Sequence, residues 1–517
     1  MRDQRPIEAS VVGDLLDVGA ERSPDRLAVA FEGRRTSYGE LRERVDRLAN
    51  ALLGLGLGPG DRLAMFLDNG DRAWELILAC ARAGIVWVPL NYMLREREVE
   101  TIVRHAGARA LAVSAAHWPT AAPTAASLAL EHLIATDFEP DDGSLHAYER
   151  LIEAGSRSRP PTPRDPDALF CLLYTSGTTG LPKGTMLTHR VILAHARLAL
   201  HEYRIGPASV GLVVLPYFVG ATLNCIQIPG LSQGAPLVFS RFSPAGFFEL
   251  VRQHRVTHVQ TVPTVLVRLL DSPEIAAADL SSIETIGYGS APMPLDRLEQ
   301  LLGRFGPIFT QIYGLTETCA MATVLRRDEH AGPRLASCGR AAAGVEVELV
   351  DDDGRPVPTG QLGEIVIRGP TVMAGYWQAP ELTARAMGGG WFHSGDIAHR
   401  DAAGYIYISD RKTDMIISGG INVYPKEIEE VIYRHPGVLE CAVIGLPDPE
   451  WGEAVTAIVA PRPGGSVEPD EVVELCRREL AGYKKPRRVF LVDEIPRNPS
   501  GKVLKRVLRE RFGRADS

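Results

Sequence analysis

The chain has 517 residues, which is more than a single hydrophobic core usually serves, so we expect two or more domains. Hydrophobic residues make up 45% of the sequence and charged residues 23%, as is usual for soluble globular proteins. The formal net charge of −8 argues against a general nucleic-acid binder, which would need a basic footprint.

Cysteine usage and the N-terminal stretch both bear on location. The seven cysteines are scattered and form no C-x-x-C pair, which favours buried free thiols in a reducing compartment. The first residues, MRDQRPIEAS, lack the apolar core of a signal peptide, and no apolar run is long enough to span a bilayer. We therefore predict a cytoplasmic protein without a transmembrane segment.

Apolar strands alternate with amphipathic helices through the first three hundred residues, a pattern that predicts parallel sheets covered by helices. Ser37 and Glu40 have the spacing of a capping box, and Gly54 can end the helix that they begin. The predicted elements are helix 36–56, strand 61–67, helix 73–82, strand 84–90, helix 243–255, strand 256–262, helix 264–270, strand 283–289, helix 295–304 and strand 308–313.

The Pro- and Arg-rich stretch 154–167 interrupts this alternation and is predicted to be a linker or surface loop. The pattern of predicted elements changes near residue 344, where short alternating strands begin, and again in the last hundred residues, which mix helices and strands. We predict a layered α/β N-terminal domain over 1–410, with a β-rich subdomain at about 335–410, and a mobile α+β C-terminal domain over 411–517.

The strongest motif is YTSGTTGLPKG, residues 174–184, which follows an apolar run that reads as a strand. Its glycines let the backbone approach phosphate oxygens closely, its hydroxyls can donate to them, and its lysine adds positive charge. We predict a phosphate-binding loop in a strand-to-helix turn. Its candidate ligands are Thr175, Ser176, Gly177, Thr178, Thr179 and Lys183.

Other well-known nucleotide-binding motifs do not fit this sequence. The only Gly-Lys pair, Gly501-Lys502, is followed by Val503, so no Walker P-loop is present. A G-x-G-x-x-G fingerprint does not occur either.

YTSGTTGLPKG resembles the phosphate-loop signature of the adenylate-forming superfamily, which includes acyl-CoA synthetases, adenylation domains of peptide synthetases and luciferases. Further motifs follow in that superfamily's order, and the resemblance covers essentially the whole chain. They are YGLTE (313–317), GEIVIRG (363–369), WFHSGD (391–396), DRKTD (410–414) running into GGINVYP (419–425), and PRNPSGK (496–502).

The resemblance implies roles that also make physical sense. Tyr313 offers an aromatic face to a purine, Thr316 can bond phosphate, and Glu317 offers a hard oxygen ligand for Mg²⁺. Similarity further assigns Asp396 and Arg411 to the ribose. The segment around Tyr288 ends a predicted strand, and similarity suggests that it lines the adenine and acyl pocket; Gly289, Ser290 and Gln311 are our further nucleotide candidates.

Lys502 lies in a Pro- and Gly-rich loop between a predicted strand and a basic helix. The resemblance implies that movement of the C-terminal domain about Thr413 carries this lysine into the site for adenylation. Gly419 and Gly420 would then enter to form a narrow wall for the pantetheine arm of coenzyme A. A run of basic residues either contacts the nucleotide phosphates of coenzyme A or is merely solvated: Lys484, Lys485, Arg487 and Arg488.

Two positions depart from the superfamily pattern. Thr413 stands at the hinge, which is often Lys or Asp in relatives. Val219 stands where many relatives have a histidine near the acyl pocket. With Tyr217 and Tyr288 it suggests an apolar pocket for a fatty or aromatic acid.

The resemblance therefore implies an ATP-dependent acyl-CoA ligase that uses Mg²⁺, adenylates a small-molecule carboxylic acid and passes the acyl group to coenzyme A. The alternative is an acyl-AMP ligase that donates to the phosphopantetheine of a carrier protein. We expect no nucleic-acid partner, and a homodimer is the candidate assembly.

Overall fold

The computed structural model describes residues 4–139, 144–161, 164–175, 182–411, 414–418, 421–497 and 503–513. Its helices are α1 (Leu15–Arg22), α2 (Tyr38–Gly54), α3 (Asp71–Ala83), α4 (Glu96–Ala106), α5 (Trp118–Ser127), α6 (Tyr148–Ala154), α7 (His189–Tyr203), α8 (Gly220–Thr222), α9 (Ile228–Gln233), α10 (Pro244–His254), α11 (Pro263–Leu270), α12 (Leu295–Phe305), α13 (Pro380–Ala386), α14 (Pro425–Ile432), α15 (Pro469–Glu479) and α16 (Lys505–Phe512). A π-helical turn, Leu223–Gln227, joins α8 to α9.

The strands up to residue 325 are β1 (Leu27–Phe31), β2 (Arg34–Ser37), β3 (Arg62–Phe66), β4 (Val86–Pro89), β5 (Ala110–Val113), β6 (His132–Ala135), β7 (His146–Ala147), β8 (Leu169–Thr175), β9 (Lys183–Thr188), β10 (Gly211–Val213), β11 (Leu237–Phe239), β12 (His258–Thr261), β13 (Thr285–Gly289), β14 (Phe309–Tyr313) and β15 (Thr323–Leu325). Those that follow are β16 (Arg340–Ala341), β17 (Glu346–Val350), β18 (Gly363–Arg368), β19 (Gly375–Tyr376), β20 (Phe392–Arg400), β21 (Ile406–Arg411), β22 (Ile416–Ser418), β23 (Ile421–Val423), β24 (Val438–Asp448), β25 (Gly452–Pro461) and β26 (Arg488–Leu491).

Two large sheets carry most of the chain up to residue 376. The first has the order β16-β15-β14-β13-β12-β10-β11-β1-β2 and the second β19-β9-β8-β4-β3-β5-β6-β7. Strands inside each sheet run parallel, while β2, β15 and β16 in the first and β9 and β19 in the second pair antiparallel at its edges. The predicted layered α/β architecture is confirmed, with mixed rather than purely parallel sheets.

The predicted elements of the first three hundred residues are found within a few residues of their expected ends. Helix α2 begins with the expected capping box, in which Ser37 accepts from the Glu40 N–H and Glu40 accepts from the Ser37 N–H. Its apolar face, which includes Leu41, Val45 and Leu48, is fully buried. That burial, rather than intrinsic helix propensity, supplies most of the stability of such a helix.

The later part of the chain forms two smaller sheets. The β-rich unit expected near residue 344 is the antiparallel sheet β17-β18-β20-β21. The last sheet has the order β23-β22-β25-β24, with β26 beside β25, and its apolar clusters contain only residues beyond 415. This separate core supports a domain boundary near Asp410, which remains our proposal.

The seven cysteines are buried and unpaired, as expected from their scattered spacing. Among the described helices, none combines the length and the apolar character that crossing a membrane requires.

Candidate active site

The predicted phosphate loop lies between two antiparallel strands. Thr175 at the end of β8 pairs with Lys183 at the start of β9, and α7 begins only after β9 has ended at Thr188. The expectation of a strand-to-helix turn is therefore wrong, because the residues after the loop form a second strand of the same sheet. Ser176, Gly177, Thr178 and Thr179 lie outside the described residues.

Tyr313 and Asp396 are brought together from different sheets. The Tyr313 hydroxyl donates to Asp396 Oδ2 over 2.7 Å, at the carboxyl end of β14. Burial, and then the Asp396 carboxylate, hold the pKa of the Tyr313 phenol well above its ordinary value. Tyr313 therefore stays protonated and acts as the donor.

The segment before Asp396 holds its carboxylate in place. Ser394 Oγ accepts from the Asp396 N–H over 3.0 Å and donates to the Ile365 carbonyl over 2.7 Å. Gly395 has a φ of +72°, a backbone conformation that favours glycine. Arg411 lies directly across the β20–β21 ladder from Asp396, and its side chain lies outside the described atoms.

Glu317 is a buried carboxylate at the other end of the YGLTE motif, in a short 3₁₀ turn. Tyr376 donates its hydroxyl to Glu317 Oε1 over 2.8 Å, and the Met373 N–H donates to the Glu317 carbonyl over 2.8 Å. Carboxylate oxygen is the ligand that Mg²⁺ prefers, so Glu317 fits the cation implied by the resemblance. Thr316 precedes it and is partly buried.

The backbone after Glu317 is strained. Cys319 and Ala320 both have positive φ, +55° and +84°, which side-chain-bearing residues seldom adopt. Ala320 lies against Gly314, where an added Cβ would come within 2.5 Å of the Ala320 carbonyl carbon. Asn224 of the π-helical turn donates to the Cys319 carbonyl over 3.3 Å and so helps to hold this conformation.

The ends of β13 and β14 bring the remaining nucleotide candidates side by side. Tyr288 pairs with Gln311 in the ladder, and the Tyr288 hydroxyl donates to Gln311 Oε1 over 3.1 Å. Gly289 must lack a side chain, because a Cβ there would come within 2.3 Å of the Ile312 carbonyl oxygen. Ser290 follows with a φ of +70°.

The two other acyl-pocket candidates occupy different surroundings. The Tyr217 hydroxyl lies 2.5 Å from the Met65 carbonyl oxygen and accepts from the Leu67 N–H over 3.3 Å, so it ties a loop to β3. Val219 is 9% exposed and belongs to the same apolar cluster as Tyr288. The structure thus gives the Tyr217 hydroxyl a structural task, and all three residues stay candidates for the acyl pocket.

Two residues that contact the site escaped the sequence reasoning. Tyr376 follows the GEIVIRG motif closely, but nothing in its local pattern indicates a hydroxyl aimed at Glu317. Asn224 lies in an apolar helical stretch, where an isolated amide is the available signal. Besides the four loop residues named above, four more predicted residues lie outside the described residues: Thr413, Gly419, Gly420 and Lys502.

Comparisons with known proteins find family models and relatives that match most of this chain. The family described as "AMP-binding enzyme" matches residues 16–377, and "AMP-binding enzyme C-terminal domain" matches residues 427–502. The chain is 41% identical over 495 residues to a feruloyl-CoA synthase of Amycolatopsis sp, covering 96% of this chain and 97% of the relative. It is 36% identical to the fatty acid–[acyl-carrier-protein] ligase ScoC of Streptomyces coeruleorubidus over 510 residues, covering 95% of each.

A solved structure has the same fold. The ATP-bound crystal structure of MatB from Rhodopseudomonas palustris superposes with a TM-score of 0.88 at 32% identity, covering 97% of this chain and 99% of MatB.

Proposed function

Because the chain belongs to the family of AMP-binding enzymes, we propose that it is an acid–thiol ligase that activates a carboxylic acid with ATP and transfers it to coenzyme A. One observation carries the assignment to this site. Side chains from four separate segments converge around the end of β14 and the start of β9: Lys183, Tyr313 with Glu317, Tyr376 and Asp396. Together they offer a cation, a hard oxygen ligand and a ribose-binding carboxylate.

In the first half-reaction, an oxygen of the substrate carboxylate attacks the α-phosphorus of ATP. The bond from that phosphorus to the bridging oxygen breaks, and pyrophosphate leaves with the bonding electrons. The protein contributes positioning and charge rather than a nucleophile. We assign the ribose hydroxyls to Asp396 and Arg411, the purine face to Tyr313, and the phosphates to the loop from Thr175 to Lys183 together with Thr316.

We assign Mg²⁺ to Glu317. When bound there, the ion would neutralise charge on the phosphate oxygens. Lys502 would supply a second, mobile charge near the substrate carboxylate, as the resemblance implies.

In the second half-reaction, the thiol sulfur attacks the acyl carbonyl carbon. The carbon–oxygen bond to AMP breaks, AMP leaves, and the thiol proton passes to solvent. We propose that the C-terminal domain turns about Thr413 between the two steps, so that Gly419 and Gly420 replace Lys502 at the site.

Coenzyme A is favoured as the acceptor by a surface of the C-terminal domain. The exposed Arg487 guanidinium lies 3.7 Å from the centroid of the Trp451 ring, in the stacked arrangement that also suits a purine and a phosphate. Two other basic residues of this run have acidic partners: Lys484 lies 2.7 Å from Glu427 and Arg488 lies 3.6 Å from Asp448.

The acid itself we place in the fatty or aromatic class. Val219 and Tyr288 share an apolar cluster, to which the partly buried Phe218 and Ala320 also belong. An apolar wall of this kind discriminates weakly between acids that differ by a methylene, about 1–3 kcal/mol each, so we expect several acids to be accepted.

Product analysis tests the proposal. The protein is incubated with ATP, Mg²⁺ and either ferulate or decanoate, with free coenzyme A or a phosphopantetheinylated carrier protein as the acceptor. We expect an acyl-CoA thioester and one AMP for each thioester formed, by mass spectrometry and nucleotide chromatography. ADP as the product would contradict adenylation, and thioester formed only on the carrier would favour the alternative reaction.

A further inference from the structure

Tyr376 touches both the proposed metal ligand and the lysine of the phosphate loop. Its hydroxyl donates to Glu317 Oε1 over 2.8 Å, and both side chains are almost fully buried. The Lys183 ammonium lies 5.4 Å from the centroid of the Tyr376 ring. One side chain therefore connects residues that are far apart in the sequence and that we assign to the cation and to the phosphates.

The backbone fixes Tyr376 in this position. Tyr376 pairs with Thr185 between β19 and β9, so it is held by the strand that leaves the phosphate loop. Its N–H donates to Thr383 Oγ1 over 2.9 Å. The neighbouring Trp377 N–H donates to the Gly184 carbonyl over 2.8 Å. The tyrosine is therefore anchored on both sides.

We propose that Tyr376 is a positioning residue that orients the Glu317 carboxylate for Mg²⁺ and couples that orientation to the phosphate loop through Lys183. The inference rests on the proposed function, since it concerns the cation that the ATP chemistry implies. Because Oε1 already accepts from Tyr376, we assign Oε2 to the cation. A donor on one carboxylate oxygen fixes the plane of the group, and losing such a partner typically weakens metal binding about 10–100-fold.

Two substitutions can separate the effect of the Tyr376 hydroxyl on Glu317 from the effect of its ring on Lys183. Tyr376→Phe keeps the ring beneath the Lys183 ammonium and removes only the hydroxyl. It should therefore weaken metal binding while leaving the binding of metal-free nucleotide unchanged. Tyr376→Leu removes the ring as well and should weaken both.

Mn²⁺ binding gives a readout that does not depend on turnover. Free Mn²⁺ is measured by electron paramagnetic resonance in the presence of the protein and an α,β-methylene analogue of ATP. We expect Tyr376→Phe to raise the dissociation constant of Mn²⁺ about tenfold. Tyr148→Phe is the matched control, because Tyr148 is also buried and donates to the buried Glu75 Oε2 over 2.6 Å, with both partners outside the assigned site.

A double-mutant cycle identifies the route of the effect. In a Glu317→Ala background there is no carboxylate to orient, so Tyr376→Phe should cause no further loss of Mn²⁺ affinity. An additional tenfold loss there would overturn the proposal, as would an unchanged dissociation constant in Tyr376→Phe alone. Normal Mn²⁺ binding by Glu317→Ala would refute the metal assignment itself, while the product analysis tests the ligase reaction independently.

A second variant covers the case in which Tyr376→Phe folds poorly, which thermal melting would reveal. Thr383→Val removes the oxygen that accepts the Tyr376 N–H and leaves the tyrosine hydroxyl intact. It should loosen the anchor and raise the Mn²⁺ dissociation constant by severalfold in a protein that melts normally. Unchanged Mn²⁺ binding by a folded Thr383→Val protein would count against the proposal.

Discussion

The Tyr313 hydroxyl and the Asp396 carboxylate are joined by a 2.7 Å hydrogen bond that links the end of β14 to β20. The two residues are 83 positions apart and belong to different sheets. The aromatic face that we assign to the purine and the carboxylate that we assign to the ribose are thus set at a fixed separation before the nucleotide binds.

Removing this hydrogen bond should weaken nucleotide binding. Tyr313→Phe removes the hydroxyl that donates to Asp396, and a hydrogen bond to a charged group is worth about 1.5–3 kcal/mol. We expect the dissociation constant of ATP, measured by calorimetry, to rise about tenfold or more. Tyr405→Phe is the control, since Tyr405 donates to Glu329 over 3.1 Å and has no role that we assign in the nucleotide site. Equal ATP affinity in Tyr313→Phe and wild type would contradict the assignment.

Periodicity predicted the strands that position the candidate site residues, because it depends on local chemistry. Strand β14 was predicted from an apolar run, and our candidates Tyr313 and Glu317 lie where it ends, as ligand-binding residues of α/β proteins usually do. The capping box of α2 was equally readable, because Ser37 and Glu40 are three residues apart.

What the sequence did not predict depends on contacts between distant segments. The hairpin of β8 and β9 was missed because the loop composition indicates phosphate binding but does not say whether a strand or a helix follows. Nothing in the sequence indicated that the Tyr217 hydroxyl is bound by the backbone of Met65 and Leu67, and its place in the acyl pocket stays a prediction. Tyr376 becomes meaningful only once Glu317 is placed beside it.

Lys502 should matter for one half-reaction and not for the other. Lys502→Ala removes the mobile charge that we assign to the adenylation step, so pyrophosphate exchange should fall by about 10²–10³-fold or more. Transfer from a preformed acyl-adenylate to coenzyme A should be largely retained. Arg506→Ala is a control on the same segment, because Arg506 is exposed and pairs with the nearby Glu510. Retained exchange in Lys502→Ala would refute the role given to this lysine.

The stacked pair on the C-terminal domain should affect only the thiol substrate. Arg487→Ala removes the guanidinium above Trp451, so we expect KM for coenzyme A to rise about five- to tenfold, as for a loss near 1 kcal/mol. Pyrophosphate exchange should be unchanged, and so should transfer to pantetheine, which lacks the nucleotide. Arg477→Ala, an exposed residue paired with Glu474, serves as the control. An equal rise in KM for pantetheine would place Arg487 elsewhere in the reaction.

His195 should make the fold sensitive to mild acid. Burial lowers the pKa of this imidazole from 6.5 to about 4, although a hydrogen bond of 3.2 Å to the Asn224 carbonyl opposes the shift. The folded protein therefore binds fewer protons here than the unfolded chain between those values. The contribution of His195 to the free energy of unfolding is therefore fully present above pH 6.5 and is lost as the pH falls toward 4. The loss reaches on the order of 3 kcal/mol below the folded-state pKa.

His195→Asn keeps an amide donor for the Asn224 carbonyl and removes the titrating ring. We expect its urea midpoint to fall less than that of the wild type when the pH is lowered from about 7.5 to about 5. The exposed His201 provides the control variant, His201→Asn, which should follow the wild type. Parallel pH profiles for His195→Asn and wild type would show that this histidine does not contribute.

Gly287 should tolerate no side chain, because a hydrogen bond crosses directly over it. An added Cβ would come within 2.2 Å of Gln260 Oε1 and 2.3 Å of the Tyr203 hydroxyl, and these two groups are hydrogen-bonded to each other in the core. Gly287→Ala must therefore separate a buried donor from its acceptor, in addition to overpacking a core that tolerates little added volume. The two effects together should cost about 2–4 kcal/mol.

Thermal melting of Gly287→Ala and Gly303→Ala measures this cost against a matched substitution. Gly303 lies in α12 with no atom within 4 Å of the added Cβ. Alanine there should leave the melting midpoint unchanged or raise it, because its higher helix propensity adds up to about 1 kcal/mol to the free energy of unfolding. Gly287→Ala should instead lower the midpoint by several degrees. Because Gly287 directly precedes Tyr288, displacement of the strand should also weaken binding of the acid. A normal melting midpoint for Gly287→Ala would show that Tyr203 and Gln260 can move aside.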